Sequence, residues 1–360
     1  MSKKHLLSIV ILLSLGLASC APALPVVTTQ DASTEASEAP ASQVVAGELQ
    51  GKLVIYSGRS EPLIQPVIDG FSKKHPNLEI QLKAGSNSEL ANALLEEADN
   101  PVADVFVTTE LFTVQSLAAQ RVFQSYRPSN ADRLPAEFIG PEYQWIGLTR
   151  RGRVIMYNTE LVSMEEAPKS IFELTDPKWE GQVAAAGSTN GSMQAQIAAM
   201  RGLIGEQATE AWLEGLLDNE VTFFGGHTDV RKAVGAGEFK IGLVNHYYFY
   251  LQKAEGSPVG IIYPDQAEGE IGLITNSTAA GVVRGAPDLP AAQAFIDFLV
   301  SEEGQKLFAE LNYEYPLLQG VAVRQGVEPL EGFRLADVDV SKAALDFEAT
   351  FQLMERIGLP

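Results

Sequence analysis

The sequence predicts an α/β protein whose folded body, from about residue 51 to residue 360, is divided between two lobes. Short apolar runs stopped by Gly, Ser or Thr alternate with helix-spaced stretches from residue 52 onward, the order that builds a parallel sheet with helices on both faces. A body of roughly 310 residues exceeds what one hydrophobic core comfortably organises. No internal repeat at a fixed period and no later apolar run of membrane-spanning length offers another architecture.

The elements follow in order. "KLVIYSG" (52–58) is a buried-strand run, and 61–75 places Leu63, Ile64, Val67, Ile68 and Phe71 on one helical face. "NLEIQLKAG" predicts a second strand, "NSELANALLEEADN" a second helix capped near Asn87 or Ser88, and "ADVFVTT" (103–109) a third strand. Strands are expected again at 151–159 and 181–188, and a helix opens after the small polar residues of "TNGS" (189–192). "GEFKIGLVNHYYFYLQKAEG" predicts strand, break and helix; "GEIGLITNSTAAGVVRG" returns to strand, and 288–312 contains two amphipathic helices. Polar residues at several strand ends suggest one shared cleft, because open α/β sheets bind ligands beyond the carboxyl ends of their strands. Trp145, Trp179 and Trp212 are expected in the core, as is Tyr56.

The first residues bear on location. Lys3 and Lys4 precede a short apolar stretch that ends in "LASC" at Cys20, the pattern of a lipoprotein signal peptide over 1–19 whose cysteine is lipidated. The plainer alternative is a secretory signal with an incidental cysteine. Residues 20–50, rich in Ala, Pro, Ser, Thr and Glu, are expected to form a flexible tether. The protein is thus expected outside the cytoplasm, at the outer face of the cell membrane or in a periplasm, with the lipid as its only membrane contact. Cys20 is the only cysteine, which excludes an intrachain disulfide and a cysteine-rich metal site. A net charge of −20 argues against nucleic acid as a partner.

No H-E-x-x-H, nucleophile elbow, Walker loop or dinucleotide fingerprint is present, and only His75, His227 and His246 follow the leader, so an enzyme is not expected. The unusual stretch is "VNHYYFYL" (244–251), which holds three of the chain's 10 tyrosines. Adjacent Tyr247 and Tyr248 would diverge on a regular strand or helix, so a common target requires the chain to turn there. Phenolate and carboxylate oxygens are hard donors suited to a highly charged cation such as ferric iron, which can itself drive off the phenol protons. Aromatic packing with edge hydrogen bonds is the competing explanation of the same cluster. Tyr250, Tyr313 and Tyr315 are assigned to packing.

With "VIYSGRSEPLI", "DPKWEGQV", "GAGEFKIGLVNHYYFYL" and "SEEGQKLFAELNYEYPL" in this order, the body from about Lys52 to Val321 resembles bacterial ferric-iron-binding proteins, the solute-binding components of iron(III) ABC transporters. The resemblance implies a two-lobed periplasmic-binding-protein (type II) fold with hinge crossovers, here with 51–148 plus 278–328 as one lobe and 149–277 plus 329–360 as the other. It also implies Fe(III) held by Tyr247 and Tyr248 together with a synergistic anion, carbonate or phosphate, and a monomer that delivers iron to an ABC importer permease. By the same resemblance the anion is met by Asn245, by Asn190, Gly191 and Ser192 of "TNGS", by Arg59 and Ser60, and by Arg151 or Arg153. Ser60 stands where transferrin-like members carry a histidine ligand. Thr109 stands at their glutamate position, with Glu110 one residue later. Ser192 and Met193 occupy the region of a third tyrosine found in other members, and His227 stands in place of an anion-binding asparagine. Glu110 and His227 are therefore further candidate metal ligands. The alternatives are an organic solute such as thiamine or a polyamine, or a surface protein of the same fold without a transport role.

Overall fold

The computed structural model describes residues 48–360, so Cys20, the predicted signal peptide and most of the predicted tether lie outside the described residues. The body opens as β1 (Gly51–Ser57), α1 (Glu61–Lys74), β2 (Leu78–Ala84), α2 (Asn87–Glu96) and β3 (Val105–Thr108), with β1 paired in parallel to both β2 and β3. The predicted face of α1 is the buried one. Ser86, rather than Asn87 or Ser88, caps α2: its hydroxyl accepts from the Glu89 N–H. After α3 (Leu111–Ala119), the 13-residue strand β4 (Ile146–Asn158) begins earlier than the run predicted from residue 151.

The predicted alternation continues with β5 (Val183–Ala186), α4 (Gly191–Ile204), α5 (Glu206–Asp218), β6 (Thr222–Phe224), α6 (His227–Gly235), β7 (Ile241–Asn245) and α7 (His246–Ala254). β8 (Val259–Ile262), β9 (Thr275–Val282), α8 (Leu289–Leu299), α9 (Glu302–Asn312), β10 (Tyr315–Pro316), α10 (Val340–Leu345) and α11 (Phe347–Ile357) complete the order. Asp288 and Ser301 cap the two predicted amphipathic helices α8 and α9.

The strands run β2-β1-β3-β9-β4-β7-β5-β6, with β8 and β10 also on β4. The sheet is mixed rather than wholly parallel, because β9 lies antiparallel to both β3 and β4. β4 connects the two halves. Its residues Ile146–Gly152 pair with β9, and from Arg153 onward it pairs with β7. One core gathers Phe71, Phe106, Trp145, Phe295 and Phe308; another gathers Ile155, Trp179, Trp212 and Leu243. This is the two-lobed periplasmic-binding fold.

The parallel sets β2-β1-β3 and β7-β5-β6 each send their strands' carboxyl ends to a common edge, which is where the following loops can meet. Among the described residues no helix is long and apolar enough to cross a membrane.

Candidate functional site

Six strand-to-helix turns converge on a cleft of about 460 Å³: those before α1, α2, α3, α4, α6 and α7. Each helix presents its N-terminal end, where unpaired N–H groups and the helix dipole favour negative charge. Close approach of the walls depends on two glycines. A Cβ at Gly58 would fall 1.7 Å from Asn87 Oδ1, and one at Gly191 would fall 2.7 Å from Asn87 Nδ2 and 2.8 Å from Thr109 Oγ1.

Tyr247 and Tyr248 reach the cleft together because the chain leaves its strand just before them. β7 ends at Asn245, and both tyrosines occupy the first turn of α7, where helical side chains lean back toward the N-terminus. Their ring centroids are 4.3 Å apart at 33°. Both rings are buried while lining the cleft. Burial pushes the Tyr248 phenol well above its usual value, helped by its hydrogen bond to Tyr247, while Arg59 and Arg151 pull the other way.

The neighbouring tyrosines are occupied otherwise. Tyr250 and Tyr263 hydroxyls lie 3.2 Å apart, Tyr263 and Tyr315 hydroxyls 3.3 Å apart, and Tyr315 donates to the Glu328 carbonyl. His246 pins the start of α7. Its Nδ1 accepts from the Gly152 N–H at 3.3 Å, so Nε2 carries the proton and donates to the Tyr313 carbonyl at 2.8 Å. The ring stacks on Tyr315 at 4.1 Å, and burial pushes its pKa down to about 3.

Three arginines surround the pair. Arg59 and Glu314 form an ion pair with both side chains 1 % exposed or less. Arg59 Nη1 donates to Glu314 Oε2 at 3.0 Å and to Thr278 Oγ1 at 2.9 Å, and Thr149 Oγ1 donates to the same carboxylate at 2.5 Å. Burial alone would lower the Arg59 pKa, but Glu314 and the two tyrosines raise it on balance. Arg151 donates to the Thr109 carbonyl. Arg153 lies behind the cleft wall, donating to Gln196 Oε1 at 2.7 Å and Asn245 Oδ1 at 3.1 Å, and burial lowers its pKa to about 9. Asn245 in turn donates to Ser192 Oγ at 3.0 Å. Four buried N–H positions here have no acceptor: Arg59 Nε, Arg151 Nε, Arg153 Nη2 and His227 Nδ1.

Of the candidate residues, Arg59, Ser60, Arg151, Asn190, Gly191, Ser192, His227, Tyr247 and Tyr248 line the cleft. Asn245 and Arg153 stand behind it and hold Ser192 and His227. Glu110 does not reach it. Its fully buried carboxylate caps α3, accepting from the Thr113 N–H at 3.0 Å and from Asn87 Nδ2 at 3.3 Å, so it is turned to the helix start and is not part of the cleft lining. His227 is poorly disposed as a ligand too. Its Nε2 faces Arg153 Nη1 at 3.0 Å and must accept, so the proton sits on Nδ1 and neither nitrogen offers a lone pair. Burial, with Arg153 and Arg151 nearby, pushes its pKa well down.

Among the described residues no group of three or more His, Cys, Asp or Glu side chains is arranged to hold a metal ion, which leaves the phenols as the distinctive hard donors. The sequence reading missed Gly225 and Gly226 before α6, although "FFGGHTD" has the same small-residue strand-to-helix signature as "STNGS". It also missed Glu314, for which no local signal exists.

Residues 100–342 match the family described as bacterial extracellular solute-binding protein. The chain is 31% identical over 319 residues to iron uptake protein A1 of Synechocystis, covering 86% of this chain and 88% of that one. It is 30% identical over 312 residues to the Fe(3+)-binding periplasmic protein of Serratia marcescens, covering 85% and 90%. Iron-bound HitA of Pseudomonas aeruginosa superposes with a TM-score of 0.78 at 26% identity, covering 85% of this chain and 99% of that one. A Trichodesmium protein (IdiA, FutA) in complex with iron and citrate superposes with a TM-score of 0.69 at 31% identity, covering 86% and 99%.

Proposed function

The chain belongs to the bacterial extracellular solute-binding proteins, and from that premise we propose that it binds ferric iron outside the cytoplasm and delivers it to an ABC importer. The strongest support is the convergence of Tyr247 and Tyr248, side by side at a helix start, on a cleft ringed by helix N-termini and arginines. Neither aromatic packing nor an organic solute calls for two adjacent phenols there. The printed names of relatives at about 30% identity point the same way.

The two phenols ionise onto the metal, and at Tyr248 the cation drives a deprotonation that burial opposes. Two oxygens leave most of the coordination sphere open, so a synergistic anion completes it. Carbonate or phosphate is the expected partner, held against Arg59, Arg151 and the α4 start at Asn190–Ser192. Arg59 Nε, Arg151 Nε and His227 Nδ1 belong to residues that line the cleft and have no acceptor among the described residues, which supports an acceptor-rich guest. Arg153, Asn245 and His227 position the wall rather than touch iron.

The division into 51–148 plus 278–328 and 149–277 plus 329–360 is proposed as the pair of bodies that close on the cargo, with β4 and β9 as crossovers. The two cores and the change of β4 partners at Arg153 support it. Cys20 is proposed as the lipid anchor and a permease as the recipient. Binding and hand-over need no catalytic group.

The test is a visible titration of the metal-stripped body with a ferric chelate. A saturable charge-transfer band at one iron per chain, lost in the Tyr247→Phe, Tyr248→Phe double variant, is expected. A folded protein without such a band would overturn tyrosinate ligation.

A further inference from the structure

A second cavity, of about 420 Å³, lies beside the same crossover strands but shares no lining residue with the cleft. Consecutive residues of β4 decide this. Adjacent strand side chains face opposite sides, so Arg151 lines the cleft while Arg150 lines the second cavity. Arg150 Nε donates to Thr275 Oγ1 at 3.1 Å, and its guanidinium sits 5.1 Å from the centre of the Phe138 ring. Among the described residues, no carboxylate lies within ion-pair distance of it. The side chain lines the cavity and hydrogen-bonds through Nε alone among the described residues, which leaves its two outer nitrogens to offer a guest as a positive pole.

Apolar patches come from Leu111 and Phe112 of α3, Ala195 and Ala199 of α4, and Phe138 and Val338, set among the neutral polar side chains of Gln115, Thr275, Asn276, Ser277 and Ser341. The rim is acidic, with Glu137 and Asp337 both exposed. A cation inside, apolar patches between neutral polar groups and carboxylates outside form a polarity that a simple anion or a simple cation would use only in part. We propose that this cavity binds a small zwitterion with an apolar body, of the α-amino-acid class, its carboxylate on Arg150, its ammonium toward Glu137 and Asp337, and its side chain against Phe112 and Phe138.

The position gives the site a consequence. α3 packs with the first core and α4 with the second, and Phe112, Ala195, Ala198 and Phe347 join in one small apolar cluster beside the cavity. Asn276, in the cavity wall, donates to the Thr109 carbonyl at 3.3 Å, the same oxygen that Arg151 meets in the cleft. A guest here touches elements of both halves and stabilises the arrangement in which it fits. That slows iron release, by linkage, to the extent that this arrangement is the iron-holding one. The coupling rests on the proposed iron-binding function; the binding itself does not.

L-leucine and L-phenylalanine are the probes, titrated into the metal-stripped protein by calorimetry, beside 4-methylpentanoate and 3-methylbutylamine. Saturable binding of an amino acid is expected, weakened at least about tenfold by Arg150→Gln and equally by Val338→Trp, which fills the cavity without touching Arg150. Neither variant should change the ferric charge-transfer band. No saturable binding at millimolar probe, or binding indifferent to both variants, would overturn the proposal. Equal affinity for 4-methylpentanoate would overturn the zwitterion. Amino-acid binding that leaves the iron-release rate unchanged would refute the coupling, while the charge-transfer band separately reports whether the iron site stands.

Discussion

Glu314→Gln separates what Glu314 does for stability from what it does for cargo. The substitution keeps the shape and removes the only carboxylate among the described residues that pairs with Arg59, in a pair whose side chains are 1 % exposed or less. Removing one partner of a buried ion pair costs about 3–5 kcal/mol, because the other charge stays buried without compensation. Glutamine retains an acceptor for Thr149 or Arg59, so the low end, about 3 kcal/mol, is expected. Against typical stabilities of about 5–15 kcal/mol, that loss is readily measured. Urea unfolding of the metal-free protein should show the midpoint fall with little change in slope. The iron-loaded protein should lose much less, because the phenolates and the anion then supply the negative charge that Arg59 lacks. Arg59 already feels Tyr247 and Tyr248 next after Glu314. A loss below about 1 kcal/mol in the metal-free protein, or an equal loss with and without iron, would refute the assignment of Arg59 as the charge that couples the frame to the cargo.

Each phenol that must shed a proton makes ferric affinity fall about tenfold per pH unit on acidification. Since the Tyr248 pKa lies well above 10, Tyr248→Phe should reduce that slope by about one decade per unit, read by competition with citrate from pH 8 to 6. Gly191→Ala puts a methyl within 2.8 Å of Asn87 and Thr109. Overpacking of about 1–3 kcal/mol should speed stopped-flow iron release roughly five- to hundredfold. Asp265, buried and hydrogen-bonded to Ser170, has its pKa raised from 3.8 to about 6, mainly by burial. A raised folded-state value means its contribution is favourable below pH 4 and is lost as pH rises through about 6. Asp265→Asn should therefore raise Tm at pH 7 relative to wild type, and the gain should shrink toward pH 4.

Much of this was legible because the informative residues are local. The α1 face is set by spacing alone, and "NHYY" and "STNGS" carry their meaning within four or five residues. What was not legible depends on distant partners. The strand expected from residue 151 starts at Ile146, and Arg151 and Arg153 are buried within it because Thr109, Gln196 and Asn245 receive them. Glu314 meets Arg59 across 255 positions. Glu110 and His227 were candidate ligands by their positions in the resemblance, and only their neighbours reveal a helix cap and a lone pair already taken. The adjacent tyrosines posed the right question about a chain break; the structure puts the break before the pair, so that one helical turn presents both.

The charges of the site bear on which cargo it can hold. Arg59, Arg151 and Arg153 are buried near one another, and among the described residues only Arg59 of the three is paired with a carboxylate, Glu314, while His227 and His246 are kept neutral by burial. Such a surplus of positive charge repels a bare cation. A divalent ion would gain too little from two phenols to displace their protons against it. A ferric ion polarises phenol far more strongly, and its two phenolates offset most of its own charge. The arginine surplus then remains as the pull on an anion. On this account the arginines select the ferric–anion pair rather than the metal alone. Iron offered without a competent anion should bind weakly to a protein whose tyrosines are intact.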